Sequence, residues 1–376
     1  MPLPLRNLLF CLVSASLLGG CWDAREIEER TSVIAIAFDK HPEGYEISVQ
    51  VPVPLKIVGS GGGGGSENGQ NAVQTFHGTG KTLSDTMDDI RDQTNQQLFL
   101  GHARLILIGE GLAREGMGSL VDAIRRNPEV RRRQWPLVVK GKAKEALQTN
   151  PKLEQIPAQY IITMMETGQR TGRFSDEDLG KTYINLSNPA KNPLMNYMEI
   201  SEGNLVWKGL ALFEKDRMVG KLSREESQSM LRLREQELGE TANIPCGHKE
   251  GKLVFRPKEL ERKIQVKPRK GALPEIEIFV KMKGEIIEKI CDLDLRKQGI
   301  YEKINRWVAD RYEQTDRKTI RAVQKKWKVD AFNFGNQIRA HHPDLWKTMD
   351  WNREFPHVPI RVRYDVQVLR SGLEAK

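Results

Sequence analysis

Beyond its first twenty residues the chain has no apolar run approaching the roughly 18 residues that mark a membrane-spanning helix. No later segment is therefore expected to cross a bilayer, and a composition that is 29% charged points to a water-facing body. Cysteine is scarce, with four in 376 residues. Cys11 lies inside the N-terminal apolar run and Cys21 just after it, so the body keeps only Cys246 and Cys291. One disulfide is open to that pair, but no disulfide framework is implied, and a chain this long can bury a core without one. The seven histidines and four cysteines form neither His-Glu-x-x-His nor Cys-x-x-Cys spacing, and His341 and His342 are adjacent rather than one helical turn apart. No metal site is expected. Nor does a Gly-x-Ser-x-Gly elbow occur to present a nucleophile.

One stretch, Gly78-Thr79-Gly80-Lys81-Thr82, has a catalytic look. A phosphate-binding loop needs a glycine five residues before its Gly-Lys-Thr so that the backbone can curl round a phosphate, and Thr75 stands there. The apolar run Leu105 to Ile108 ends in Gly109-Glu110 rather than in the Asp that would hold Mg²⁺. The better reading is a turn allowed by Gly80 and a helix capped by Thr82. No catalytic residue, cofactor, nucleotide or metal is assigned, and the protein is not expected to be an enzyme.

What the chain does have is a delivery device at its start. Met1 to Arg6 carries positive charge, Asn7 to Leu18 is mostly apolar, and Gly19 and Gly20 precede Cys21. The run is too short to span a bilayer but suits the apolar core of a secretion signal. Leu18-Gly19-Gly20-Cys21 resembles the bacterial lipobox. That resemblance implies transfer of a diacylglycerol to the Cys21 thiol, cleavage between Gly20 and Cys21, and acylation of the new amino terminus in many bacteria. Loss of residues 1–20 removes one Arg, so the formal charge of +9 becomes +8. An excess of that sign suits anionic headgroups or an acidic partner.

The body reads as mixed α/β throughout. Thr31 to Asp39 and Tyr45 to Val53 are expected strands around a His-Pro-Glu-Gly turn, and residues 59–71, with five consecutive glycines, an exposed loop. A strand over Ala72 to Phe76 precedes a helix marked by Leu83, Met87 and Ile90, with Thr82 as N-cap and Asp85 at N3. Leu105 to Ile108 and Trp135 to Lys140 are strands, and Leu112, Leu120, Val121 and Ile124 form a helical face. Prolines at 151, 157, 189 and 193 punctuate a helix-and-loop middle region expected to bridge two sheets. Strand patterns return at Leu205 to Phe213, Lys252 to Phe255, Lys263 to Lys267 and Glu275 to Ile290, with a helix at Arg224 to Glu237. Ile304, Val308, Tyr312, Ile320, Val323 and Trp327 define a long amphipathic helix over about 295–328. Val358 to Leu369 alternates as a closing strand. The expected division is a signal at 1–20, an N-terminal α/β domain at 21–150, a middle region at 151–204, and a C-terminal α/β domain at 205–376.

Two basic clusters stand out, Arg131-Arg132-Arg133 before Gln134-Trp135, and Lys267-Pro268-Arg269-Lys270. Nucleic acid is not expected outside the cell. A solvated loop, a headgroup contact or a protein docking patch accounts for them better.

Cys21-Trp22-Asp23-Ala24-Arg25-Glu26-Ile27 followed by Ala35-Ile36-Ala37-Phe38-Asp39 resembles the opening of the C-subunit lipoproteins of bacterial spore germinant receptors, the Ger(x)C family. Matching segments follow in order: Phe99 to Glu110, Ile124 to Arg131, Gly209 to Lys215, Val219 to Glu226, His341 to Trp346, and Val358 to Asp365. The glycine-rich insertion departs from the family pattern. The resemblance implies about three mixed α/β domains with largely antiparallel or mixed sheets. It also implies a non-enzymatic receptor subunit, anchored by lipid on the outer face of the spore inner membrane. Two integral-membrane subunits, A and B, would be its partners in nutrient-triggered germination. Trp22 and Arg25, directly after the anchor, are candidate docking residues, since interface hot spots favour Trp and Arg; an interfacial Trp resting in headgroups is the alternative. A lipid-anchored small-ligand-binding protein or an envelope hydrolase is the other functional class.

Overall fold

The computed structural model describes residues 30–53, 72–246 and 251–371. The lipobox, Cys21, Trp22, Arg25 and the expected loop 59–71 lie outside the described residues.

In chain order, β1 (Arg30–Ser32), β2 (Ala35–His41), β3 (Gly44–Pro52) and β4 (Val73–Gly80) lead to α1 (Leu83–Arg91). Then come β5 (Gln97–Phe99), β6 (Leu105–Gly109), α2 (Glu110–Glu115), α3 (Gly118–Arg126) and β7 (Trp135–Val139). The middle region supplies α4 (Pro157–Arg170), α5 (Leu179–Ser187) and β8 (Leu194–Ser201). They are followed by β9 (Asn204–Glu214), β10 (Arg217–Lys221), α6 (Arg224–Glu235), β11 (Ala242–Pro245), β12 (Lys252–Arg269) and β13 (Ala272–Ile290). The chain closes with α7 (Ile300–Ala322), α8 (Phe334–His341) and β14 (Ile360–Ser371).

Eight strands form one mixed sheet in the order β10-β9-β8-β7-β6-β2-β3-β4. Its centre, β8-β7-β6-β2, is parallel, and antiparallel strands extend it at both ends. Period-two alternation divides the side chains between two cores. Ala35, Ala37, Leu105, Leu107, Leu137 and Val139 face α4 and α6 on one side. Ile36, Phe38, Ile106, Ile108 and Val138 face α1, α2, α3 and α5 on the other. Double cover explains why the central strands are apolar on both faces. Pro136 survives in a central strand because the β8 ladder begins only at Leu137, so the missing N–H forfeits no bond there. At Gly209 (φ 135°) a side chain would run into the Leu222 carbonyl, beside the irregularity in the β8–β9 ladder.

The second sheet, β11-β12-β13-β14, is antiparallel except for its last pair. Ile276, Ile278, Val280, Met282 and Ile286 form its inner row. The first three share the core of the large sheet, and the last two join Phe255, Val366, Val368 and the Ile304–Val308–Tyr312 stripe of α7. Cys246 and Cys291 are disulfide-bonded at that far end.

The expected strand Thr31 to Asp39 divides into β1 and β2, and the helical face Leu112 to Ile124 divides between α2 and α3 at Gly116 (φ 133°). The other elements agree with the sequence reading in kind, with three further differences. Lys252–Phe255 and Lys263–Lys267 belong to one strand, because the long β13 partner pairs across the polar residues between them. The middle region bridges no gap between sheets; it supplies β8 and helical cover to the large sheet, which takes strands from both sides of residues 150 and 204. The long helix spans 300–322 and ends in a wider, π-type turn over 323–327, in which the Lys328 amide donates to the Val323 carbonyl at 2.9 Å and Lys328 itself adopts the left-handed region.

Candidate functional site

Each place where chemistry was conceivable can be built from its residues. The Gly-Lys-Thr stretch is a strand end and a helix cap. Gly78 and Gly80 are paired in β4 against Ile47 and Tyr45. The Thr82 hydroxyl accepts from the Asp85 amide at 3.1 Å, and the Asp89 carboxylate occupies the Thr79 amide at 2.9 Å. A side chain at Gly80 would meet α1 backbone within 3 Å. The amides that a phosphate would need are therefore pressed against protein.

In open α/β sheets ligands bind beyond the carboxyl ends of the parallel strands. Here that position is filled from within. Asp39, at the end of β2, accepts from the amides of Ala143 and Lys144 at 2.7 and 2.9 Å. Burial pushes its pKa up, and those two amides oppose the rise. Glu46 beside it is tied to Lys144 and Lys142 at 2.5 and 3.2 Å; burial would raise its pKa, and the two ammonium groups lower it. Across the sheet, the Tyr197 hydroxyl donates to Glu110 at 2.6 Å. These are satisfied networks with no free reacting atom.

Two buried ionic clusters flank α6, and sequence reasoning found neither. Arg232 and Arg234 alternate with Leu231 and Leu233 in the short apolar stretch of this otherwise polar helix, which was the available signal. Arg232 reaches Asp316 of α7 at 2.6 Å, with both side chains at most 5% exposed, and Tyr364 of β14 donates to the same carboxylate at 2.6 Å. Arg234 pairs with Glu177 at 3.3 Å and donates to the Ala331 carbonyl at 2.7 Å. Burial pushes the Glu177 carboxyl up to about 7 against the opposing pull of Arg234 and Asn185. Perturbed groups of this kind mark catalytic centres only where a substrate can reach them. Arg232 and Asp316 are enclosed between helices and strands. Glu177 and Arg234, at most 6% exposed at the floor of an open depression of about 400 Å³, are engaged with each other, Asn185 and the Ala331 carbonyl, so both arrangements fix packing.

The surface is more informative. β1 lies parallel to β5, with Arg30 over the Phe99 ring at 5.4 Å, and the Ser32 hydroxyl bonds His102 at 2.9 Å. Phe99 stacks so closely on Gly101 that a β-carbon there would clash with the ring. Gly101 and His102 form one wall of an open, polar depression of about 750 Å³, whose charged lining is Arg104, Arg131, Arg133 and Lys181 with Asp176 and Asp178. A second depression of about 640 Å³ adjoins it through Lys181, lined by Arg125, Arg132 and Arg339. Nearby acids are committed: Glu166 to Arg104 at 2.8 Å, Asp176 to Lys181, and Asp178 to the α5 amide of Lys181 at 2.7 Å. The structure thus brings the Arg131–Arg133 turn to the end of the molecule where β1 begins. The second basic cluster is ion-paired instead, Lys267 to Glu277 and Arg269 to Glu275.

Among the described residues no helix is long and apolar enough to cross a membrane, and no group of three or more His, Cys, Asp or Glu is placed to hold a metal.

Comparison with known proteins gives this body a context. Residues 23–200 match the family described as Spore germination protein N-terminal domain, and residues 208–372 the family described as Spore germination B3/GerAC like, C-terminal. The putative spore germination protein YfkR of Bacillus subtilis is 25% identical over 97% of this chain and 95% of its own length. Spore germination protein KC of the same organism is 23% identical over 96% and 94%. Spore germination protein GerQC of Bacillus cereus is 22% identical over 98% and 99%. The crystal structure of the GerBC protein superposes with a TM-score of 0.60, covering 89% of this chain and 96% of that one at 18% identity, a likeness of fold. With its two halves matched in order over nearly all of its length, the chain belongs to the Ger(x)C family of spore germination proteins, the C-subunit type of the germinant receptors.

Proposed function

We propose that the protein is the lipid-anchored C subunit of a nutrient germinant receptor, held on the outer face of the spore inner membrane through Cys21. It acts by assembling with two integral-membrane subunits, A and B, and not by chemistry of its own. The observation that carries this reading is where the family match begins. The N-terminal family domain starts at Asp23, two residues after the lipobox-like cysteine, so the entire germination-protein unit follows the anchor point. The self-satisfied networks at the strand ends support a role in binding protein rather than in turnover.

A diacylglyceryl group supplies the two chains that stable anchoring takes, where one chain binds only marginally. Cys21→Ala is therefore expected to leave the membrane fraction of salt-washed spore preparations and to lose lipid label. A variant still bound, with unchanged gel mobility, would reject the anchor. Trp22→Ala with Arg25→Ala is expected to stay lipidated and folded, yet to fail to co-purify with the membrane subunits and to fail in the nutrient response. Germination by added dipicolinate should persist. A normal nutrient response in the double variant would exclude these two residues as the docking site.

A further inference from the structure

Arg131, Arg132 and Arg133 form an exposed turn between α3 and β7, and no carboxylate pairs with any of them among the described residues. This sets them apart from the 267–269 segment, whose Lys267 and Arg269 are ion-paired. Arg125 beside them is held only over the Tyr183 ring at 5.8 Å, and Arg339 bonds the uncharged Asn188 side chain at 2.9 Å. One face thus carries a concentration of guanidinium charge that nothing in the fold neutralises. Guanidinium groups bind phosphate oxygens in bidentate fashion, and clustered on an open polar surface they suit a phosphate-bearing plane better than a desolvated protein core.

Position selects among anionic partners. The depression lined by Arg131 and Arg133 shares a wall with His102, which is bonded to Ser32 of β1. The chain therefore enters the fold beside this face. Cys21 lies nine residues before Arg30, and nine residues reach at most about 32 Å even when fully extended. Any lipid on Cys21 keeps this end of the body near the bilayer.

We infer that the Arg131–Arg133 face is a docking surface for anionic phospholipid headgroups, which turns the end of the molecule carrying β1 and β5 onto the membrane. This rests on the lipid-anchored reading above and adds an orientation of the body to it.

The test uses residues 21–376 with Cys21→Ser, which abolishes acylation. Co-sedimentation is measured with phosphatidylcholine vesicles and with vesicles containing about one third phosphatidylglycerol, at low and high salt. Binding is expected only to the anionic vesicles and to be lost in salt. Replacing all three arginines by Gln should weaken it by about a hundredfold, at roughly fivefold per charge. The charge-matched control, Lys208→Gln with Lys281→Gln and Lys318→Gln on other elements, should bind as the parent does. Equal losses in the two triple variants would reduce the effect to net charge and overturn the inference. Unchanged vesicle binding by the arginine variant, with loss of co-purifying membrane proteins, would overturn it in favour of a protein partner. The vesicle result is independent of receptor membership. Failure here with Cys21-dependent fractionation intact would remove the headgroup face and leave the receptor reading standing.

Discussion

Both faces of the eight-stranded sheet are covered by helices, whereas the four-stranded sheet covers its inner face and leaves the outer one charged and wet. On the outer row of β13, Glu277, Phe279, Lys281 and Lys283 lie against Gln265, Lys263, Glu261 and Glu259 of β12. The doubly covered sheet draws its stability from apolar burial on two sides. The singly covered one needs other restraints. It has three: the disulfide, the Arg232–Asp316–Tyr364 cluster, and side chains of α7 laid along the edge strand. The difference shows how one chain joins a conventional core to a thinner layer.

The largest expected effect comes from cutting the joint between them. Arg232 sits on α6, which packs on the large sheet, and its guanidinium meets Asp316 and Tyr364 of the other layer. Arg232→Met leaves the fully buried Asp316 carboxylate without its cation, which should cost about 3–5 kcal/mol. Adding Asp316→Leu should recover most of that loss, because an apolar pair of similar volume replaces the ion pair at little cost. Urea denaturation measures both. A loss below about 1 kcal/mol in the single variant would mean that the two layers are not joined here.

Next is the disulfide. It closes a separation of 45 residues at the far end of the second sheet, and its removal in Cys246→Ser with Cys291→Ser should cost roughly 2–4 kcal/mol. Hydrogen exchange should rise in β11, the start of β12 and the start of α7, which share that small core, and not in β6, β7 or α4. Equal loosening of the large sheet would erase the distinction between the layers.

Titration probes the other side of α6. The Glu177 carboxyl is raised from 4.5 to about 7 by burial, with Arg234 and Asn185 opposing and Glu235 adding to the rise. A raised folded-state value means that the native protein holds the proton more tightly than the unfolded chain does. Its contribution to stability is therefore complete below about pH 4.5 and disappears as pH rises through 7, on the order of 3 kcal/mol across the window. Glu177→Gln should flatten the dependence of melting temperature on pH between 4.5 and 7. The slope is the informative quantity, since only the titration of Glu177 itself, and not a general loss of packing, changes the shape of the curve in this window.

The same contrast explains what was legible in the sequence. Strands of the second sheet alternate because one face is wet, so Ile276 to Ile286 and Val358 to Val368 announced themselves, as did the stripe on α7. Thr82 and Asp85 gave the start of α1, and the cap is there. In the large sheet, β8 was hidden in a middle region that its prolines mark as helix and loop, and its polar Asn196 is buried because it accepts from the Ser175 amide and the Trp207 indole and donates to the Ser175 carbonyl. Strand order could not be read either, because the parallel pairing of β8, β7, β6 and β2 depends on contacts far apart in sequence. The Arg131–Arg133 cluster was visible as composition, but its place beside β1 belongs to the fold. Whether Cys246 and Cys291 pair stayed open for a like reason, since 45 residues of hairpin and loop separate them.

The smallest effects are expected at the sheet edges, where both layers use one device. On β4 the outward amide of Thr79 is held by Asp89 of α1 at 2.9 Å. On β14 the outward amides of Tyr364 and Val368 are held by Glu313 and Asn305 of α7 at 3.0 and 2.9 Å. Each bond contributes about 1 kcal/mol, so Asp89→Ala, Glu313→Ala and Asn305→Ala should each lower stability by that amount. Their second consequence should differ. Asp89 covers one amide of a strand packed in a thick, doubly covered sheet, and its loss should leave a monomer. Glu313 and Asn305 cover the edge of the thin layer, and the double variant offers a second copy two uncovered amides, four residues apart on the same side of the strand. Sedimentation should therefore detect self-association only in Glu313→Ala with Asn305→Ala. Association of the Asp89 variant to the same extent would show that the edge alone, and not the cover on the sheet's faces, sets the hazard.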